Sequence, residues 1–184
     1  MLYTEGTIYE ALNRKKIDIG FTRYFPGFDN PNIQWEFFGT ETASFLVSQN
    51  HPFSEKKSIN FYSLCDEPLI LMHKNQSPGW YNFVINYYQS KSIIPNIVEF
   101  ANRMDELFTK VAIGLGISIV PSCAILQGTS TIRFIEIENE DSNYKIGIAW
   151  DKHSPNHSIN LFIEHIKNNY DDLYTKDIFG DTGS

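Results

Sequence analysis

The chain has 184 residues, 42% hydrophobic and 15% aromatic, which excludes wholesale disorder and lets a folded chain bury roughly 70% of its unfolded surface. A net charge of −7, with Arg14-Lys15-Lys16 as the densest basic run, excludes general attraction to phosphate backbones. No apolar run reaches the roughly 18 to 20 residues of a membrane helix and no signal peptide opens the chain, so a cytoplasmic protein with no membrane partner is expected. The two cysteines, far apart, fit a reducing compartment.

In chain order, Leu2 to Glu5 reads as the end of a strand and Gly6-Thr7 as a helix start. The helix runs through Ile8, Ala11 and Leu12, with Arg14, Lys15 and Lys16 expected in its last turn. Ile17, Ile19 and Phe21 alternate with Asp18 and Gly20 as the returning strand of a βαβ unit. Such a parallel start leaves an exposed edge, so a further element is expected before Met1. Residues 24 to 32 form a loop dense in Pro, Gly, Asp and Asn. Strands follow over 33 to 39 and 43 to 48, and the break at Gly39 to Thr42 reads as a crossover between subdomains.

His51-Pro52-Phe53 turns the chain, Ile59 to Leu64 reads as a short helical connection, and Pro68 to Met72 as a buried strand. Ser77 at N-cap with Pro78 at N1 starts a helix whose apolar face is Trp80, Phe83, Val84, Tyr87 and Tyr88. Ile97 to Phe100 is another strand. Met104, Leu107, Phe108, Val111, Ala112 and Leu115 then mark one buried helical stripe, with Asn102 as N-cap and Asp105 closing a weak capping box. Gly114 and Gly116 end this helix, and Ile117, Ile119 and Val120 form a strand closed by Pro121. Strand, helix and strand here imply a parallel, right-handed βαβ unit. Ile132 to Ile137 is a strand and Glu138 to Asn143 a polar turn. Ile146, Ile148 and Trp150 alternate as the strand that returns to the first subdomain. A helix over Ile159 to Tyr170 packs through Phe162, Ile163 and Ile166, and a loose tail follows from about Tyr174.

These elements predict an α/β protein of two lobes joined by two crossover strands, with a ligand cleft. In open parallel sheets, ligands bind beyond the carboxyl ends of strands, where helix N-termini point. Three starts obey that rule: Gly6-Thr7, Ser77-Pro78-Gly79-Trp80 and Asn102-Arg103-Met104. Together they suit a small carboxylate without any net basic charge. Arg23 fits a bidentate clamp on it, and Trp80 a stacking surface for its body. Each has a plainer alternative: Thr7 and Ser77 as ordinary caps, Arg23 as a surface ion pair, Trp80 and Met104 as core.

Catalysis finds no support. His153 and His157 are separated by Pro155 and lack a companion Glu, so no metal site is expected. Cys65 and Cys123 form no CxxC pair and read as buried small residues. No nucleophile elbow, P-loop or Rossmann glycine pattern is present, so no catalytic residue and no cofactor are expected.

One stretch also carries a resemblance. A helix running into Val111-Ala-Ile-Gly-Leu-Gly-Ile-Ser-Ile-Val-Pro-Ser122 resembles a segment of the effector-binding domain of LysR-type transcriptional regulators. Ile17 to Phe21, Asn50 to Phe53, Leu64 to Leu71 and Ser77 to Trp80 match in the same order, closest in look to the muconate- and benzoate-sensing branch. The resemblance implies a type 2 periplasmic-binding-protein-like fold, with subdomain I over 1–40 and 146–184 and subdomain II over 41–145. It implies that the first strand and helix of subdomain I, and a winged helix-turn-helix DNA-binding domain, are not in this chain.

It further implies a small organic-acid effector bound in the cleft by Thr7, Arg23, Ser77, Pro78, Gly79, Trp80 and Met104. Binding would allosterically re-set a full-length homotetramer whose DNA contacts lie in the missing domain. A homodimer of this domain is expected, with the helix after Ser77 and the Tyr24 to Phe38 region as candidates for its interface. One position departs: Arg103 stands where those members carry an acidic residue. The alternative reading is a solute-binding protein serving transport of a small anion.

Overall fold

The computed structural model describes residues 5–24, 30–138 and 143–174, and it divides into two units that change over between Gly6 and Thr7, between Gly39 and Thr40 and between Tyr144 and Lys145. In chain order the elements are α1 (Glu5–Asn13), β1 (Ile19–Tyr24), β2 (Ile33–Glu41), β3 (Ala43–Ser48), β4 (Ser58–Ile59) and β5 (Leu69–Met72). Then come α2 (Pro78–Ser90), β6 (Ile97–Ala101), α3 (Met104–Ala112), β7 (Ser118–Pro121), β8 (Ile132–Ile137), β9 (Tyr144–Asp151) and α4 (Ser158–Tyr174).

Among the described residues, the smaller unit is a three-stranded sheet ordered β1-β9-β2 between two helices. On one side, Ile8, Ala11 and Leu12 of α1 are buried at helical spacing, and Ile8 sits over Gly20 of β1. On the other, Ile159, Ile163 and Ile166 of α4 pack on Ile148 and Trp150 of β9, joined by Ile19 and Phe38. Being central and covered on both faces, β9 is buried from Gly147 through Trp150 instead of alternating. Along one edge β1 is antiparallel to β9, Ile19 opposite Trp150 and Tyr24 opposite Lys145. Leu2 to Thr4 lie outside the described residues, as do 25–29 of the expected loop, 139–142 of the polar turn and the tail from 175, and Glu5 belongs to α1. Phe21, expected to face inward, is 56% exposed, with its ring against the edges of Phe38 and Phe162 at 5.9 and 6.4 Å.

The larger unit places α2 between two adjacent parallel strands, β5 and β6. Helix α3 then carries the chain from β6 to β7, whose entry, Ile117, bridges in parallel to Leu69. Strand β5 therefore lies between β6 and β7. The rest of the sheet is mixed: β7 and β8 flank β3, both antiparallel to it, and β4 joins β8 in parallel. The core on the α3 side joins Leu107, Phe108 and Val111 to Leu46, Ile70, Ala101 and Val120. Of the expected stripe, Leu115 alone is exposed, because it lies past the helix end. On the α2 side, Phe61 is fully buried among Phe45, Tyr87 and Tyr88, with ring centroids 6.0, 4.8 and 4.9 Å away. Burial of such a side chain contributes about 2 to 3 kcal/mol. It sits in a 3-10 turn (Phe61–Ser63), started by the Asn60 side chain accepting the Tyr62 N–H, where a longer helical connection was expected. Cys65 is buried as expected and burial pushes its thiol up, whereas Cys123 is exposed.

Three helices end alike. After α1, Lys15 has φ 54 and the N–H groups of Lys15 and Lys16 reach back to the carbonyls of Leu12 and Ala11. After α2, Ser92 has φ 59 and Ser92 and Ile93 bond Gln89 and Tyr88. After α3, Gly114 has φ 80 and Gly114 and Leu115 bond Val111 and Lys110. Each is a Schellman ending, with one left-handed residue closing the helix. Arg14, Lys15 and Lys16 thus follow α1 instead of lying in its last turn.

Candidate functional site

The carboxyl ends of β5 and β6 set the site in the larger unit. Met72 lies opposite Ala101, and the His73 N–H donates to the Ala101 carbonyl at 2.7 Å, so the two strands finish level with each other. Each leads at once into a helix, β5 through residues 73–77 into α2 and β6 through 102–103 into α3. Two helix N-termini therefore rise from one strand edge, with their dipoles' positive ends there.

The two starts differ in charge. Ser77 is the N-cap of α2 and makes no side-chain capping bond to the helix, Pro78 occupies N1, and the first turn holds no acidic residue. Its amides are those of Gly79 and Trp80, since proline has none. Before it, Lys74 lies over the Tyr81 ring at 5.7 Å, and His73 meets the edge of Phe100 at 5.7 Å.

Helix α3 begins one residue later than Asn102 predicted, with Arg103 as N-cap and both Asp105 and Glu106 in the first turn. Glu106 Oε2 accepts the Asn102 N–H at 2.8 Å, and Lys110 Nζ lies 3.0 Å from Glu106 Oε1 and 2.9 Å from Glu99. Lys110 also donates to the Phe100 carbonyl at 2.6 Å, tying the strand to the helix. Arg103 donates through Nε and Nη2 to both oxygens of Asp105, each at 2.9 Å. The Asn102 amide and Lys110 hold the Glu106 carboxyl below its ordinary range, and Arg103 does the same for Asp105. Both carboxylates are ionised at neutral pH. Glu106 and Lys110 escaped the sequence reading, although their spacing of four along a helix was the available signal.

The seven expected site residues fall as follows. Ser77, Pro78, Gly79 and Trp80 are together at the start of α2, and Met104 opens α3 beside it along the same edge, half-buried against the core. Trp80 is corrected from stacking surface to core residue: it is 3% exposed and its indole N–H donates to the Ile119 carbonyl at 3.1 Å. Its ring stacks on Phe83 at 5.0 Å and meets the edge of Tyr144 at 5.2 Å, so it has no open face to offer. Thr7 and Arg23 belong to the smaller unit. Thr7 is exposed in the first turn of α1, and Arg23 lies inside β1, opposite Ile146, instead of past its end. By strand alternation Arg23 shares the side of Ile19 and Phe21, the α4 side, whereas α1 covers the other. A groove of about 460 Å³ runs along α3 beside Asp105, Thr109 and Ile113, and none of the seven residues lines it.

Two helices that open side by side at the carboxyl ends of adjacent parallel strands give this unit the architecture of an α/β ligand-binding fold. The LysR substrate binding domain matches residues 2–171, and the chain belongs to that family. The transcriptional regulator AlsR of Bacillus subtilis is 29% identical over 164 residues, 86% of this chain and 52% of AlsR. BenM of Acinetobacter baylyi is 26% identical over 152 residues, 80% of this chain and 49% of BenM. The BenM effector-binding domain with its effector benzoate superposes with a TM-score of 0.77 at 24% identity, covering 95% of this chain and 79% of that one. Full-length CbnR in complex with its target DNA gives 0.78 at 22% identity, covering 90% of this chain and 57% of CbnR. The fold is thus that of LysR effector-binding domains, of the type 2 periplasmic-binding-protein-like kind, and the family is regulatory, not enzymatic. The chain spans about half the length of AlsR and BenM.

Proposed function

We propose that this chain is the sensing domain of a LysR-type transcription regulator and that it binds a small organic acid at the start of α2. The observation that carries this is the helix start itself. In a family whose member BenM is seen with benzoate, α2 opens at the carboxyl edge of β5 and β6 with no acidic residue in its first turn. Backbone amides and the helix dipole favour a carboxylate there, with Ser77, Pro78 and Gly79 around it and Met104 supplying an apolar neighbour. Trp80 supports the turn from the core.

In the whole protein, binding shifts an allosteric equilibrium that sets DNA contacts made by a separate domain in a homo-oligomer. A coupling of about 1 to 3 kcal/mol changes DNA affinity several-fold, provided the ligand favours one state over the other.

Replacing Ser77 by Asp tests this cleanly. Aspartate is a good N-cap, so α2 keeps or gains stability while a carboxylate occupies the position proposed for the ligand's. Calorimetry with benzoate and other small acids should show binding to the native chain that weakens at least tenfold in Ser77→Asp. Equal affinity in the two proteins would remove the site. Thr7→Ala and Arg23→Ala, measured alongside, report whether the smaller unit contributes.

A further inference from the structure

We infer that the larger unit holds a second binding site, separate from the α2 start, that takes a small uncharged molecule by a primary carboxamide. The site is a cavity of about 270 Å³ bounded by the end of β3, the entries to β5 and β7, and the C-terminal end of α3. It therefore lies at the amino end of β5, the far end of that strand from the two helix starts described above. Gly114 helps to keep it open: a Cβ built on this wall residue meets nothing within 4 Å.

The polar groups of the wall select the ligand. Ser48 is spent on the fold, its hydroxyl donating to the Ala112 carbonyl at 3.2 Å and accepting the Asn50 N–H at 3.3 Å. His51 is not: its Nδ1 accepts the Phe53 N–H at 3.2 Å, which assigns the ring proton to Nε2. That Nε2 lies 3.9 Å from Glu67 Oε1, beyond hydrogen-bond reach, so a donor and a carboxylate line one cavity without satisfying each other. A primary amide bridges them, its oxygen accepting from His51 and its N–H donating to Glu67. Standard bond lengths put those two amide atoms roughly 2.3 Å apart, so both bonds form with slight splay. Charged ligands each meet one mismatch. An anion faces Glu67 and the negative end of the α3 dipole, and no Lys or Arg is among the described lining residues to offset them. A cation faces the His51 N–H, which cannot accept a bond from it. Pro52, Pro68, Leu115 and Ile117 supply apolar walls, which suit a body of one ring or a short chain.

Benzamide, benzoate and benzamidine share one shape and present, in that order, an acceptor with a donor, two acceptors, and two donors. Titrated into the full chain and followed by amide NMR, benzamide should shift the signals of Gly114, Leu115 and Gly116 and leave those of Gly79 and Trp80 in place. It should bind this cavity at least tenfold more tightly than either charged analogue. Glu67→Ala should weaken benzamide at least tenfold. Glu67→Lys, which sets a second donor beside His51, should reverse the order, so that benzoate moves the same signals at lower concentration than benzamide. Three results overturn the inference: no benzamide shift at residues 114–116, a charged analogue bound there as tightly, or unchanged benzamide affinity in Glu67→Ala with native circular dichroism. If both Glu67 variants unfold, the order of the three ligands on the native chain decides the matter alone. Benzoate shifts at Gly79 and Trp80 report the α2 site separately, so either reading can fail while the other stands.

Discussion

The matching ends of α1, α2 and α3 permit one stability experiment with opposite outcomes at equivalent positions. Lys15 and Ser92 are exposed and hold φ 54 and 59, where a side chain crowds the following carbonyl at a cost of about 1 to 2 kcal/mol. Glycine removes that cost and adds about 0.5 to 1 kcal/mol of backbone freedom to the unfolded chain. Lys15→Gly and Ser92→Gly should therefore each stabilise by about 0.5 to 1 kcal/mol, the first in the smaller unit and the second in the larger. Gly114, at φ 80, is the mirror case. A Cβ built there meets nothing within 4 Å, so Gly114→Ala isolates the backbone penalty and should destabilise by about 1 kcal/mol. Urea unfolding followed by circular dichroism and tryptophan fluorescence reads all three, with shifted midpoints at unchanged slope. Loss of stability in both glycine variants, or a neutral Gly114→Ala, would refute the account of these helix ends.

Two further outcomes follow from close contacts at the larger unit. Gly116→Ala drives a Cβ into the Pro68 carbonyl oxygen, which also accepts the Ile117 N–H at 2.8 Å, so the bridge between β5 and β7 must shift. A loss of about 2 kcal/mol or more in urea denaturation is expected, and a midpoint close to the native one would show that this approach is not needed. Lys110→Met keeps the aliphatic stem and removes the cation from Glu99 and Glu106, whose folded carboxyls lie below their ordinary 4.5. Their contribution is complete above that value and is lost as pH falls through the depressed folded one, so native and variant stabilities should converge on acidification. Lys110 is itself raised above 10.5, so its contribution is complete below that pH and fades as pH rises past its folded value. Parallel stability curves for the two proteins from neutral to acid pH would remove the clamp.

Much of this fold was legible because periodicity reports which face of an element is buried. The spacing of Leu107, Phe108 and Val111, and of Trp80, Val84, Tyr87 and Tyr88, placed α3 and α2 correctly. The Ser77-Pro78 pair fixed the start of α2, because proline is tolerated only where an amide is not required. Strand partners were not legible: nothing local to Ile19–Tyr24 says that it lies antiparallel to Tyr144–Asp151. Helix ends divide the same way. Gly114 announces its left-handed backbone, whereas Lys15 and Ser92 adopt it without any side-chain signal.

The site shows a sharper limit. Helical spacing put Trp80 on an apolar face, and such a face looks the same whether it meets a ligand or the strand carrying Ile119. Charge is subtler still. In a sequence, Arg103 counts as a cation near a helix start and invites an anion. The folded chain gives its guanidinium to Asp105, two residues on, and brings Glu106 back onto Asn102. The α3 start, which read as the equal of the α2 start, thereby holds two carboxylates in its first turn where α2 holds none. Where side chains near a helix start spend their charge depends on rotamers and distances that no spacing rule contains.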